Sequence, residues 1–143
     1  MLIGEINHSI DAKGRYIIPA KFREELGEKF VLAKGLDSCI FVYPMKKWEA
    51  VIESLEQLST TDPRARRFAR SFTSRAFDVE IDKQFRVVLP PVLREFAGIE
   101  KDIVTIGATS RLEIWDKERW NEYCLESADT FEEDAAYFPD IRL

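Results

Sequence analysis

The chain is 143 residues long, 45% hydrophobic and 33% charged, enough for one domain or two very small ones. No apolar run approaches the roughly 20 residues a membrane helix needs, the N-terminus lacks the basic-then-apolar layout of a signal peptide, and two isolated cysteines exclude a disulfide framework or a metal site. A net charge of -5 argues against a polyanionic partner until its distribution is read: Glu113 to Leu143 carry ten acidic residues against Lys117, Arg119 and Arg142, a balance of -7, which leaves residues 1–112 at +2.

In chain order, the first strand runs into a charged loop, "IDAKGR", and a second short strand, "RYII", follows with the β-branched and aromatic content of a half-buried surface. Pro19 then stops strand pairing because it has no N–H to donate, and its fixed φ suits the start of a helix. The stretch "AKFREEL" predicts a short helix closed by Gly27. A third strand, "KFVLAKG", a turn and a fourth, "CIFVY", lead into "PMKKWEAVIESL", whose Trp48, Val51, Ile52 and Leu55 lie on one helical face. Cys39 and, further on, Cys124 are expected as buried thiols.

Next, "STTDPRARRFARSF" predicts a linking helix with Asp62 as its cap, Pro63 at its first position, and Phe68 and Phe72 one turn apart on its apolar side. Arg64, Arg66, Arg67 and Arg70 decorate the remaining surface. Three readings of them stay open: a DNA contact, a subunit interface against acidic residues, or a solvated face.

The opening segment then returns. "IDAKGRYIIPAKFREE" from Ile10 is answered 71 positions later by "IDKQFRVVLPPVLREF" from Ile81, with identities at Asp11/Asp82, Arg15/Arg86, Pro19/Pro90, Arg23/Arg94 and Glu24/Glu95. After a one-residue gap the match resumes at 72 positions, pairing Gly35 with Gly107, Val42 with Ile114 and Trp48 with Trp120. Each copy, at about 45 residues, is too small to bury a sizeable core, so the two must share one. The expected organisation is a first half over 5–48, a linking helical segment over 49–75, a second half over 76–120, and a C-terminal helix with an acidic tail over 121–143. The tail's aromatic residues could dock on a neighbour, and its carboxylates could mimic DNA or serve solubility.

The repeated loop carries the chemistry. An arginine just beyond a tight turn can project its planar fork to phosphates or to guanine edges, and Arg15 and Arg86 are the first candidates for such a contact, chemistry that by itself names no partner. Lys13 and Lys83 in the loops would add sequence-independent phosphate contacts, and Lys21, Arg23 and Arg94, near a helix start, could position the protein on the backbone, although Arg23 with Glu24 and Arg94 with Glu95 read more readily as solvated helix faces. Asp11 and Asp82 would repel phosphate and are assigned to ordering the loop, with Gly14 supplying a positive φ. The second copy has Phe85 in place of that glycine. The second loop is then expected to be stiffer, or differently turned, or to present an aromatic ring to a partner surface, and the plainest reading is a ring packed against the neighbouring half or subunit.

An enzyme is not expected. His8 is the only histidine and no nucleophile motif accompanies it; no P-loop, no glycine-rich dinucleotide turn and no Cys/His cluster occurs. No catalytic residue, metal site, cofactor or small-molecule substrate is therefore anticipated.

The duplicated D-x-x-x-R loop, with "IPAKFRE", "FTSRAFDVEIDKQFRVVLP" and "LEIWDKERW", closely resembles the MraZ family from about Gly4 to about Glu126. The resemblance implies a mixed α+β, mainly β fold: a pseudo-twofold swapped-hairpin barrel of AbrB type, made from two tandem SpoVT-AbrB-like halves, with flanking and linking helices. It further implies a ring-shaped homo-oligomer that binds double-stranded DNA. The expected site is a set of short direct repeats in the promoter of the bacterial cell division and cell wall gene cluster, bound as a repressor, in the cytoplasm at the nucleoid and away from any membrane. The alternative is an AbrB-like protein-interaction module of antitoxin type, against which stand the duplication within one chain and the short tail.

Overall fold

A computed structural model describes residues 1–143. The first copy contains β1 (Leu2–Ser9), β2 (Arg15–Ile17), a 3-10 turn (Ala20–Phe22) running into α1 (Arg23–Leu26), β3 (Lys29–Lys34), β4 (Ile40–Pro44) and α2 (Met45–Glu56). The linking helix α3 (Pro63–Ser74) leads to the second copy: β5 (Phe77–Glu80), β6 (Arg86–Val88), α4 (Pro91–Ala97), β7 (Asp102–Thr109), β8 (Leu112–Asp116) and α5 (Lys117–Ser127). A short α6 (Phe131–Ala136) follows. Asp62 caps α3 by accepting from the Arg64 backbone N–H at 2.8 Å, with Pro63 in the first turn where its missing donor costs nothing. Gly98 closes α4 in the left-handed conformation, whereas Gly27 ends α1 at positive φ with an extended ψ.

Six strands form one antiparallel sheet in the order β1-β7-β8-β4-β3-β5. The order is the signature of exchange between the copies. β1 pairs with β7 of the second copy, β5 pairs with β3 of the first, and β2 and β6 pair only with each other as a two-stranded ribbon. Tyr16 faces Val87 across the ribbon and Phe41 faces Glu113 across β4 and β8. Both are pairs of repeat counterparts, so one pseudo-twofold axis passes through both. This is the swapped-hairpin barrel, built within a single chain.

Alternation along the central strands divides the interior. Ile40, Val42, Leu112 and Ile114 turn toward Tyr16, Val87, Phe22 and Leu93, in a cluster of 18 buried residues drawn from both copies. Phe22 and its counterpart Leu93 are fully buried, and each contributes about 1.5–3 kcal/mol toward holding its short helix on the barrel. Phe41, Tyr43 and Trp115 point the other way, into a second cluster with Phe72 of α3 and with Trp48, Val51 and Leu55 of α2. Ile52 lies outside that cluster. The ribbon and the α2–α3–α5 layer therefore cover opposite faces of the sheet's central strands. The thiols differ from expectation: Cys39 is buried, but Cys124 is exposed, because Trp120 and Tyr123 form the inward-packed side of α5 against Trp115. No helix is long and apolar enough to cross a membrane.

Candidate nucleic-acid interface

The two D-x-x-x-R loops fold identically. Asp11 accepts at Oδ1 from the backbone N–H groups of Lys13 and Arg15, both at 2.9 Å, and at Oδ2 from the Arg15 Nε. Asp82 accepts at Oδ1 from Gln84 and Arg86, at 2.8 and 3.0 Å, and at Oδ2 from the Arg86 Nε at 2.9 Å. In each loop the aspartate carbonyl also receives the N–H of the residue three positions on, Gly14 or Phe85. Backbone donors to the carboxylate, led by that of the following arginine, hold both Asp11 and Asp82 below the usual carboxylate range. Each aspartate is thus a charged knot that shapes the turn and fixes the root of its arginine.

The fork is left free. Each arginine spends its Nε on the aspartate, while its terminal nitrogens make no hydrogen bond within the chain. The ribbon brings the two together. Tyr16 and Val87 point inward, so Arg15, Ile17, Arg86 and Val88 share the outer face, with Arg15 opposite Val88 and Arg86 opposite Ile17. The arginines are diagonal neighbours, roughly 7–8 Å apart at their backbones. Ile17 and Val88 lie exposed on the other diagonal, and Lys13 and Lys83 stand exposed in the flanking turns.

Phe85 leaves the turn unchanged. It takes a φ of 60°, close to the 75° of Gly14, so the second loop is turned as the first is despite its bulkier residue. An L-residue pays roughly 1–2 kcal/mol in this region, and the ring finds a partial offset in the Arg23 guanidinium stacked 4.0 Å from its centroid. Arg23 belongs to the first copy, so the ring packs against the neighbouring half. The same guanidinium's Nε donates to Ile18 O at 2.9 Å, and the Ile18 N–H donates to Phe85 O at 2.9 Å. Arg23 therefore stitches its own strand end to the other half's loop.

Arg94 repeats the arrangement with a different partner. It lies over Gly14, where an added Cβ would sit 2.8 Å from its Nη1, and its Nη2 donates to Glu100 O at 3.3 Å. Its buried Nε has no partner. Both arginines thus fold onto the loop of the opposite copy rather than pointing away from it. Lys21 is elsewhere, its amine against Gly4 of β1 and near the Phe22 ring, outside the loop pair. The α3 arginines also stand apart, in the layer across the sheet from the ribbon.

Two polar clusters went unread in the sequence. Beneath the ribbon, the Thr105 hydroxyl meets Tyr16 OH at 2.6 Å and His8 Nε2 at 2.7 Å; burial pushes the His8 imidazole below its usual range and the Tyr16 hydroxyl far above its own. On the axis, buried Glu113 accepts from Arg111 at 2.8 Å and from the Trp115 indole at 3.1 Å, while Arg111 stacks on Phe41. The first joins residues from opposite copies, and the second runs from Arg111 along one face of β8 and crosses the repeat only where Arg111 stacks on Phe41, contacts that no local motif announces.

A duplicated swapped-hairpin barrel that displays an arginine-bearing ribbon on its own twofold axis is an AbrB-type architecture with both halves in one chain. Comparison with known families agrees: the family described as "MraZ protein, putative antitoxin-like" matches twice in tandem, over residues 1–71 and 72–139. The chain belongs to the MraZ family. It is 52% identical to the transcriptional regulator MraZ of Thermoanaerobacter sp. (strain X514) over the full length of both chains. It is 52% identical to that of Moorella thermoacetica, over 92% of each, and 52% identical to that of Clostridium acetobutylicum, over 90% of this chain and 91% of that protein.

Proposed function

We propose that this protein is a sequence-specific DNA-binding transcriptional regulator that inserts the β2/β6 ribbon into the major groove, whose width admits a two-stranded ribbon. The observation that carries the reading is the pair of half-free guanidinium forks, Arg15 and Arg86, on one exposed face with their Nε atoms anchored. Such a fork suits guanine O6 and N7, and the aliphatic Ile17 and Val88 between them suit thymine methyl groups. Lys13 and Lys83 bind phosphates on either side. Arg23 and Arg94 act from beneath as supports of the loops, and Lys21 makes at most a backbone contact. The names of the relatives support regulation of transcription.

The finer reading follows the resemblance. Residues 5–48 and 76–120 act as paired halves, the protein assembles into a ring, and the ring represses the promoter of the division and cell wall gene cluster by engaging short direct repeats. Weak contacts per ribbon then multiply, because each later contact is nearly intramolecular. An acidic chain can do this because its excess acid lies after residue 112, apart from the ribbon.

The test is fluorescence anisotropy with DNA from upstream of the protein's own gene, across a salt series. Arg15→Ala and Arg86→Ala each weaken binding by about 5- to 150-fold, the range for one bidentate contact of about 1–3 kcal/mol. Lys13→Ala and Lys83→Ala instead lower the salt slope by about 1 each. If the double arginine variant binds as tightly as wild type, the ribbon is not the reading surface. If wild type binds no DNA at low salt, the antitoxin-type interaction module replaces this reading.

A further inference from the structure

On the face of the sheet away from the ribbon, α2, α3 and the β3–β4 turn enclose an open apolar groove of about 440 Å³. Leu36, Val51, Leu55 and Phe68 line it, with Lys34 and Arg111 at its edge. Its volume falls within the roughly 300–1,000 Å³ of sites that take compact ligands. The two helices that border it, α2 and α3, carry Lys46, Lys47, Arg64, Arg66, Arg67 and Arg70 against Glu49, Glu53 and Glu56, a balance of +3, so the groove lies beside net positive charge although the α3 arginines do not line it.

The chain also carries an unpartnered segment of complementary character. In α6, Phe131, Ala135 and Phe138 fall at i, i+4 and i+7, one face of a helix that continues through hydrogen bonds from Tyr137 to Asp134 and from Phe138 to Ala135. Phe131, Tyr137 and Phe138 are 76%, 82% and 61% exposed. Around them lie Glu132, Glu133, Asp134 and Asp140. An acidic, amphipathic helical turn with aromatic anchors matches a basic-rimmed apolar groove in shape, polarity and charge.

We propose that the groove receives the C-terminal segment, residues 131–143, of a second copy of this chain. The proposal rests on the assembly reading above and gives it a contact. Groove and tail are different surfaces, so the contact is heterologous, and head-to-tail contacts of that kind close into rings when the rotation between neighbours permits. The groove and the ribbon cover opposite faces of the sheet, so this contact leaves Arg15 and Arg86 free. It also gives the α3 arginines a role, steering the acidic segment into place.

Full-length chains test it. In a Cys124→Ser background, one chain carries Leu36→Cys at the groove mouth and a second, of different mass through a tag, carries Phe138→Cys; both sites are exposed. Mild oxidation of the mixture yields the mixed disulfide-linked pair. In parallel, light-scattering mass is measured for wild type, for Leu36→Glu and for the combined Phe131→Ser, Tyr137→Ser, Phe138→Ser variant. Both variants fall to lower mass while circular dichroism stays unchanged. An assembled wild type whose variants keep its mass, with no mixed disulfide, overturns the docking and leaves assembly standing. A chain carrying both cysteines that links only to itself overturns it in favour of the tail folding back. A monomeric wild type removes the assembly reading and the docking together.

Discussion

Position 85 offers a direct test of how the second loop is held. The φ of 60° at Phe85 costs about 1–2 kcal/mol for a residue with a Cβ. Against this, the ring gains about 0.5–1 kcal/mol from Arg23 and, being 40% exposed, about 1–2 kcal/mol from its covered part out of the roughly 1.5–3 kcal/mol of full burial. Phe85→Ala forfeits the ring and keeps the strain, a loss of about 2–3 kcal/mol. Phe85→Gly forfeits the ring, relieves the strain and adds unfolded-state freedom worth about 0.5–1 kcal/mol, a net loss of about 1–2 kcal/mol. Glycine is therefore the more stable of the two by about 0.5–1 kcal/mol, the reverse of their order in an ordinary strand or helix. Urea unfolding followed by tryptophan fluorescence, at one protein concentration, reads the difference as a shift in midpoint at constant slope. If alanine equals or exceeds glycine, the left-handed backbone at this loop is wrong, and with it the equivalence of the two loops. The companion change Gly14→Ala costs about 0.5–1 kcal/mol by the same balance, the strain of a φ of 75° less the unfolded-state freedom that alanine removes, since the end of Arg94 can swing aside.

Four further outcomes follow from the geometry. Asp11→Ala and Asp82→Ala, although each removes a negative charge from a loop proposed to face DNA, weaken DNA binding as much as loss of the matching arginine does; tighter binding in the same anisotropy assay would mean the carboxylates only repel. Because both carboxyls lie below their ordinary 3.8, the loop stabilisation they supply is complete above that pH and disappears as pH falls through their lowered folded values, so amide protection of Arg15 and Arg86 measured by NMR holds from neutrality to about pH 4 and drops below it. His8 acts in the same direction over a higher pH window: lowered in the fold from its free value of 6.5 by burial that favours the neutral imidazole, it makes unfolding easier as pH drops beneath that value, a loss that His8→Gln abolishes in urea titrations at pH 7 and pH 5. A thiol reagent modifies Cys124 in the native protein and reaches Cys39, buried and with its thiol pushed far above the usual range, only on unfolding; two fast equivalents would contradict the burial.

Much of the architecture was legible because the two copies annotate each other. A strand, Asp-to-Arg loop, strand and proline found twice at one spacing gives both the elements and the need for a shared core. Asp62 followed by Pro63 marked the start of α3 through capping chemistry alone. What escaped depends on three-dimensional approach. The loop composition could not announce that Arg23 and Arg94 reach across to the opposite copy, because that contact is made only once the hairpins exchange. The β3–β4 turn places Asp37 and Ser38 consecutively at positive φ without the Asn-Gly or Asp-Gly pair that normally signals such a turn. Cys124 was misjudged because α5 buries its aromatic residues and leaves the adjacent thiol outside.

The positions on the pseudo-twofold axis explain what one chain can do that two identical half-length chains cannot. In a true homodimer an axial residue faces its own copy, so Glu113 would meet a second buried carboxylate, an arrangement of like charges costly in a low-dielectric interior. In the duplicated chain it faces Phe41 instead and is held by Arg111 and Trp115. The same freedom puts Tyr16, with Thr105 and His8, opposite an apolar Val87, where the counterparts of Thr105 and His8 are Ala33 and Val79. The interior has thus diverged into complementary halves wherever the axis permits. The outer loops have not: Asp11 with Arg15 and Asp82 with Arg86 keep the same residues, the same backbone bonds and the same free forks, even where Phe85 must adopt a strained φ to preserve the turn. Under the proposed DNA-binding role, divergent packing beneath a duplicated surface is what a twofold reading head would need, since duplex DNA presents its backbone with a local twofold and rewards matched contacts from both sides.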